Sequence, residues 1–300
     1  MAELHDTCID IHADDYALSP HSDEDILKLC RLGKLDSLSI MPNMACCDNA
    51  LAALKNEAPG FPVEMKFSIH LNFMEGKCCA EPSRLPHLVD ADGYFTSSWG
   101  KLLLWNYNPF LRRTIQKELA AEIIAQTERL VQSGVFGTAP LRFDSHQHTH
   151  AIPLVLNALC TAIAERGWKV AYIRNTEDPL HLYLGKLRLY PTYSPLNAMK
   201  CCILNWYAGR VKRALKKLCL PANLLCGVFF SSQMDGKRLA AVLPAFKRAA
   251  QRKGRTLEIL FHPGTALPEE LGREFTKRGF NEFHLGHGRS IEYNTVLKEI

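Results

Sequence analysis

Short segments that read as strands alternate with amphipathic helices along nearly the whole 300-residue chain, and five of those segments end on titratable side chains. The first, Cys8 to Ala13, has apolar residues at 8, 9 and 11 and runs into Asp14-Asp15. Ser37 to Met41 forms a second strand, and Val63 to Leu71 alternates apolar with polar residues to deliver His70. Leu141 to Ser145 leads into His146, His148 and His150, and Val170 to Arg174 ends in an arginine. Gly227 to Ser231 reads as a further strand, and Thr256 to Phe261 meets His262. A chain that alternates in this way builds a parallel sheet, open or closed into a barrel. Without repeats or a linker, residues 1–300 are expected to form one domain.

The intervening helices carry their own punctuation. Ser22 reads as an N-cap with acids behind it, an apolar stripe follows at Ile26, Leu29, Cys30 and Leu32, and Gly33 stops the helix. A second helix opens at Asp48. Thr114 to Ser133 is amphipathic, with Leu119, Ile123, Ile124, Leu130 and Val131 expected on the buried side. Pro153 begins and Gly167 ends another helix, Lys237 to Lys253 forms one more, and a short helix near Ile291 to Lys298 is expected to pack the end of the chain down. The stretch from Phe73 to Pro109 has no steady period, as lids and substrate-binding insertions do not.

Composition narrows the class. An apolar share of 47% and a charged share of 22% belong to a globular protein. No window approaches the roughly 18 unbroken apolar residues of a membrane span, and the acidic start lacks the pattern of a signal peptide, so the expected location is cytoplasmic. The 11 cysteines contain no Cys-x-x-Cys, which argues against a zinc knuckle or a redox pair. The net charge of +5 comes from one segment. Between Asp178 and Asp235 there are eight Lys and Arg and no acid, and taking those eight from the 36 basic residues leaves 28 against 31 acids. A solvated helical face is the plainer reading of this segment. A nucleic-acid or anionic-membrane patch is the alternative, and nucleic acid is not the expected partner.

Ligand sites in parallel α/β proteins lie at the carboxyl ends of strands. Asp14, Asp15, His70, the histidine triplet, Arg174 and His262 all follow strands, so they are candidates for one rim. Carboxylate plus imidazole is a ligand set for a catalytic metal, and a spare carboxylate beside it can accept a proton. Residues two apart share a face of an extended segment, so the three imidazoles are expected to converge. These residue types point to metal-assisted hydrolysis.

The runs IHADDYALS, SIHLN, DSHQHTH with Pro153 behind it, Ile173-Arg174 and FHPG closely resemble the YdjC-like family, which contains the chitooligosaccharide deacetylases. Order and spacing match over roughly residues 8 to 264. The resemblance implies a distorted (β/α) barrel of mostly parallel strands, of the deacetylase type, here with a basic helical insertion at about 180–220. It implies removal of an N-acetyl group from an acetylated amino sugar or oligosaccharide by one divalent cation, Mg²⁺ or Zn²⁺. By position, Asp15, His70 and His146 match the metal ligands, Asp14 the base, His262 the acid and Arg174 the arginine that orients Asp14. His148 and His150 would bind substrate in the pocket or brace the ligands. Where the family usually has Asp-Asp-Phe-Gly, this chain has Tyr16-Ala17 at the third and fourth places. A metal-dependent phosphoesterase and a non-catalytic sugar-binding protein are the competing readings. The partner expected is a small acetylated sugar, and the sequence is compatible with a homodimer without setting the oligomeric state.

Overall fold

The computed structural model describes residues 8–275 and 277–300. In chain order the elements are β1 (Ile9–Tyr16), α1 (Pro20–Arg31), β2 (Ser37–Ile40), α2 (Cys47–Glu57) and β3 (Lys66–Leu71). Next come α3 (Trp99–Tyr107), α4 (Arg112–Gln132), β4 (Leu141–Ser145), α5 (Pro153–Arg166), β5 (Val170–Ile173) and α6 (Pro195–Lys217). The chain closes with β6 (Leu224–Cys226), α7 (Gly236–Lys253), β7 (Leu257–Phe261), α8 (Arg278–His284) and α9 (His287–Glu299). The seven strands form one parallel sheet in the order β5-β4-β3-β2-β1-β7-β6.

That sheet is curled. Five strand spacings of about 4.8 Å would separate β5 from β7 by about 24 Å in a flat sheet. Yet Arg174, just past β5, places its Nε 2.7 Å from Glu258 Oε1 on β7. The two faces of the curled sheet differ sharply. Ile11, Ala13, Leu38, Ile40, Ile69, Phe143, Ile173, Ile259 and Phe261 point out beneath the helices and join one hydrophobic core. Their neighbours Asp10, His12, Asp14, Ser37, Ser39, His70, Asp144 and Glu258 are buried on the inner face, where they bond one another. Period-two alternation therefore sorts apolar from polar residues, but here the polar side is a buried lumen rather than a solvated surface.

Most element expectations agree with the structure, including the helix bounded by Pro153 and Gly167 and the one expected over Lys237 to Lys253, which runs Gly236–Lys253. Several differ. The cap of α1 is Ser19, whose side chain accepts from the Ser22 N–H, with Pro20 in the first turn. Val131 lies on the exposed side of α4. The aperiodic stretch contains α3, which opens on a Ser98 cap. The strand expected over Gly227–Ser231 is Leu224–Cys226 instead. Gly227 has φ +148, and a Cβ there would lie 2.6 Å from the Leu260 carbonyl oxygen, so the chain turns away at this point. Phe229 and Phe230 then pack around Tyr183, with ring centroids 4.4 and 5.1 Å away. No helix among the described residues is long and apolar enough to cross a membrane.

No ladder joins β5 to β6 among the described residues. The seam is closed by single hydrogen bonds. The Leu225 N–H donates to the Glu177 carbonyl at 2.9 Å. Asn223 Oδ1 accepts from the Asn175 N–H at 2.7 Å, while Asn223 Nδ2 donates to the Asn175 carbonyl at 3.2 Å and to Glu258 Oε2 at 3.0 Å. Asn175, Asn223, Leu225 and Glu258 are buried, and Glu177 is half-buried. Asn223→Ala leaves the Asn175 amide without its acceptor, and the expected loss is about 1–3 kcal/mol of stability. Urea unfolding measures it, and an unchanged midpoint would mean that the asparagine pair contributes nothing to closure.

Candidate active site

A regular strand would send Asp14 and Asp15 to opposite faces. Here the register of β1 shifts between Ala13 and Tyr16, and Asp15 and Ala17 have φ of 67° and 71°. This bulge leaves both carboxylates buried at the same end of the lumen, with different neighbours. Asp14 is gripped by the Arg174 fork, with Nη2 2.8 Å from Oδ1 and Nη1 3.0 Å from Oδ2. His12 Nε2 lies 3.2 Å from Asp14 Oδ1, and His262 Nε2 lies 3.9 Å from Oδ2. Asp15 faces His70 Nε2 at 3.3 Å and His146 Nδ1 at 2.9 Å through Oδ1, while Oδ2 accepts from Arg289 Nη1 at 2.7 Å.

Burial pushes both carboxyls up, and their partners more than reverse it. Arg174, His70 and His12 hold Asp14 well below the ordinary carboxylate range, and His146, His70 and Arg289 do the same for Asp15. Both are therefore charged near neutrality. Arg174 also lies 3.1 Å from Asp144 Oδ2 and 2.7 Å from Glu258 Oε1, so four acidic oxygens surround one guanidinium.

The ligand atoms of Asp15, His70 and His146 all lie within 4.8 Å of one another. Their hydrogen bonding fits a cation. His70 Nδ1 gives its proton to Asp144 Oδ1 at 2.7 Å, so the neutral ring would aim its Nε2 lone pair at Asp15. Two acceptors 3.3 Å apart require a positive charge between them, either a proton or a metal ion. His70 Nε2 and His146 Nε2 are buried and have no hydrogen-bond partner. Burial lowers both histidines, but Asp14 and Asp144 raise His70 to about 10 and Asp15 and Glu75 raise His146 to about 9. Two further groups of donors also meet the distance condition, Glu75-His146-His284 and His12-Asp14-Asp144. In the latter, Arg174 and Ser39 already supply positive charge and donors to the carboxylates.

The histidine triplet does not form an extended segment with converging rings. Residues 146–151 make a tight 3₁₀ turn in which Gln147 and His148 have φ of 54° and 56°. Only His146 reaches Asp15. His150 is buried with both nitrogens engaged, Nδ1 with Ser145 Oγ at 2.7 Å and Nε2 with the Arg174 carbonyl at 2.9 Å. His148 is buried beside it, with its Nδ1 unpartnered, and burial together with Arg174 holds it well below the usual imidazole range. The left-handed residues at 147 and 148 rotate successive side chains apart, which no spacing rule for strands anticipates.

Residues outside the sequence motifs complete the site. Glu292 on α9 accepts from the His262 N–H at 2.6 Å and lies 3.4 Å from its Nδ1. Arg289, one turn earlier, binds Asp15. Glu75 Oε2 sits 2.9 Å from His284 Nε2 and 3.4 Å from His146 Nε2. Asp144 could have been found, since it stands inside the DSHQHTH run. Nothing in the spacing of Glu75, His284, Arg289 and Glu292 marks them.

The family model described as YdjC-like protein matches residues 8–299. A chitooligosaccharide deacetylase of Salmonella typhimurium strain LT2 is 30% identical over 256 residues, covering 84% of this chain and 80% of that one. A chitooligosaccharide deacetylase of Escherichia fergusonii is 27% identical over 220 residues, covering 71% of this chain and 80% of the relative. A crystal structure from Enterococcus faecalis, described as a candidate cellobiose-phosphate cleavage protein, shares the fold with a TM-score of 0.61 at 17% identity. The match covers 97% of this chain and 95% of that one.

Ala17 occupies a left-handed conformation at φ 71°, at the place where the resembling pattern carries glycine. That conformation costs a residue with a Cβ roughly 1–2 kcal/mol, against an entropic gain for Ala over Gly of about 0.4–1 kcal/mol. Ala17→Gly should therefore leave thermal stability unchanged or raise it by up to about 1.6 kcal/mol. A drop in the unfolding midpoint would contradict strain at this turn.

Proposed function

Because this chain belongs to the YdjC-like family, we propose that it is a carbohydrate deacetylase that hydrolyses the N-acetyl group of an acetylated amino sugar or oligosaccharide with the help of one divalent cation. The observation that carries this reading is the facing pair of acceptors, His70 Nε2 and Asp15 Oδ1, beside a second buried carboxylate that no such ligand claims. The relatives named chitooligosaccharide deacetylase support the substrate class.

Asp15, His70 and His146 would hold the cation, with Arg289 fixing Asp15 and Asp144 fixing His70 from behind. The cation supplies Lewis acidity, which acidifies water and polarises the acetamide carbonyl. Oxygen and imidazole donors suit Mg²⁺ and Zn²⁺ alike. The residues of the chain do the rest. Asp14 is ionised and fixed by the Arg174 fork, so it can take the proton of a water that attacks the carbonyl carbon. His262 has its ring nitrogen Nδ1 toward Glu292 and its Nε2 3.9 Å from Asp14 Oδ2. From there it can give a proton to the nitrogen as the C–N bond breaks. Acetate and a free amine leave. His148, whose Nδ1 is unpartnered, is the member of the triplet with capacity left for substrate. His150 acts as a brace.

Asp14→Asn should retain the cation by elemental analysis yet lose turnover of N-acetylglucosamine oligomers about 10²–10⁴-fold, as should His262→Ala. Asp15→Ala and His70→Ala should lose the cation as well. Near-normal turnover in Asp14→Asn would remove the base from the scheme. A metal content of one per chain, with no hydrolysis of aryl phosphates, separates this reading from a phosphoesterase.

Cation affinity should also depend on pH. In the metal-free protein, a pKa of about 10 at His70 and about 9 at His146, against 6.5 for free imidazole, means that folding favours the protonated rings. That contribution is full below about 6.5 and fades as pH rises through about 9 to 10. A cation needs the neutral rings, so its affinity should climb over the same window and its binding at pH 7.5 should release between one and two protons. Calorimetry in buffers of different ionisation enthalpy counts them, and zero release would contradict ligation by these histidines.

A further inference from the structure

The basic segment singled out by its charge plays no part in the lumen, and its exposed side has an order of its own. Along α6 the exposed residues include Leu196, Met199 and Trp206 in the first half and Arg213, Lys216 and Lys217 in the second, with Ile203 and Arg210 half-buried at the edge of this stripe. The first half of this stripe is apolar and the second half is basic. Trp206 is 75% exposed, an uncommon position for an indole. The inner face, with Cys201, Leu204, Tyr207, Val211 and Leu215, packs into the core, so the outer stripe is not demanded by the fold.

A second group of exposed apolar residues lies on α3 and just beyond it. Tyr107 at its end shares a hydrogen bond with Tyr207 of α6 at 3.2 Å between hydroxyl oxygens. Leu104 and Tyr107 are exposed, and Phe110 just beyond the helix is 89% exposed. Of the eight basic residues between Asp178 and Asp235, Lys212 is paired with Glu177, and Arg213, Lys216 and Lys217 remain on the exposed side. No acid in that interval balances them. Large apolar side chains beside unbalanced positive charge, with Trp and Tyr in the border between them, match the boundary of an anionic lipid bilayer. A second copy of this chain fits less well, because the stripe offers its basic half no acidic counterpart.

The two helices that carry the patch also touch the active-site turn. Trp99, the first residue of α3, donates its indole N–H to the Gln147 carbonyl at 3.0 Å, inside the turn that carries His146. The helix α6 packs against that same turn.

We propose that the outer face of α6 and the end of α3 dock this protein on an anionic lipid surface. The attachment is peripheral, since the apolar half of the stripe covers about three turns and enters only the boundary layer. It rests on surface charge and exposed side chains, independently of the reaction proposed above.

The test is co-sedimentation of the full chain with vesicles of pure phosphatidylcholine and of equimolar phosphatidylcholine and phosphatidylglycerol. Binding should be at least about tenfold stronger to the anionic vesicles and should weaken as salt is raised. The Trp206 emission should shift to the blue on binding, and the shift should be absent in Trp206→Phe. Arg210→Glu with Arg213→Glu should lower partitioning at least about tenfold, and Phe110→Ser with Trp206→Ser should lower it as well. Arg210 is half-buried and the other substituted residues are exposed, and the thermal midpoint of each variant confirms that it folds. Equal or absent binding to the two vesicle types would overturn the proposal. So would a dimer dispersed by the Phe110→Ser, Trp206→Ser pair, or RNA binding lost in the arginine pair, in protein that ignores vesicles. Because sedimentation needs no turnover, a negative result here leaves the deacetylase reading untouched, and an inactive enzyme that still binds vesicles leaves this proposal standing.

Discussion

A single buried guanidinium sets the terms for the rest of the molecule. Arg174 has no exposure to solvent, and it donates to Asp14 and Glu258 while lying against Asp144. Three carboxylates in a dry lumen would repel one another and favour protonation, and a lone guanidinium there would be costly to desolvate. Together they satisfy each other, but only if the end of β5 is brought across to β1 and β7. The curl of the sheet is the geometry that permits this. The same contact that closes the lumen also fixes Asp14 as a charged acceptor facing the strand ends. Structural and chemical requirements are met by one group.

Asp14 and Asp15 are chemically identical and adjacent, and the structure gives them different tasks through their surroundings. Arg174 and His12 claim Asp14, which keeps it ionised and away from the two nitrogens that could share a cation. The left-handed backbone at Asp15 turns its carboxylate toward His70 and His146 instead. A straight continuation of the strand would have buried one of them among the outward apolar residues. The local strain at this turn is thus part of how one dipeptide comes to face two sets of partners, as the proposed ligand and the proposed proton acceptor require.

The strand ends were legible because alternation and glycine or proline punctuation mark them directly, and Asp14, Asp15, His70, His146, Arg174 and His262 do meet around one lumen. The lumen itself was harder to see. Asp10, His12, Ser37 and Ser39 occupy the polar phase of their strands, and from sequence a polar phase reads as a solvated face. Only the curl shows that these residues bond one another across the interior, from Asp10 through Ser37 and His12 to Ser39 and Asp144. The histidine triplet was misread in shape for a different reason. Its spacing suits a strand, but positive φ at Gln147 and His148 folds it into a turn, and neither residue type announces that conformation.

The last helix shows how much of the site depends on tertiary packing. Read as sequence, the segment near Ile291 to Lys298 only caps the domain, and Val296 does enter the core. Yet Arg289 and Glu292, three residues apart and so on one face of α9, touch both halves of the chemistry. Arg289 holds Asp15, and Glu292 holds the backbone and ring of His262. The two partners come from β1 and from the loop after β7, neighbouring strands whose ends α9 spans. An element that docks across both therefore fixes the spacing between the proposed ligand carboxylate and the proposed acid. Loosening α9 would disturb the geometry of the proposed site before it exposed much core, because its inward polar residues hold Asp15 and His262 while only a few apolar ones anchor it.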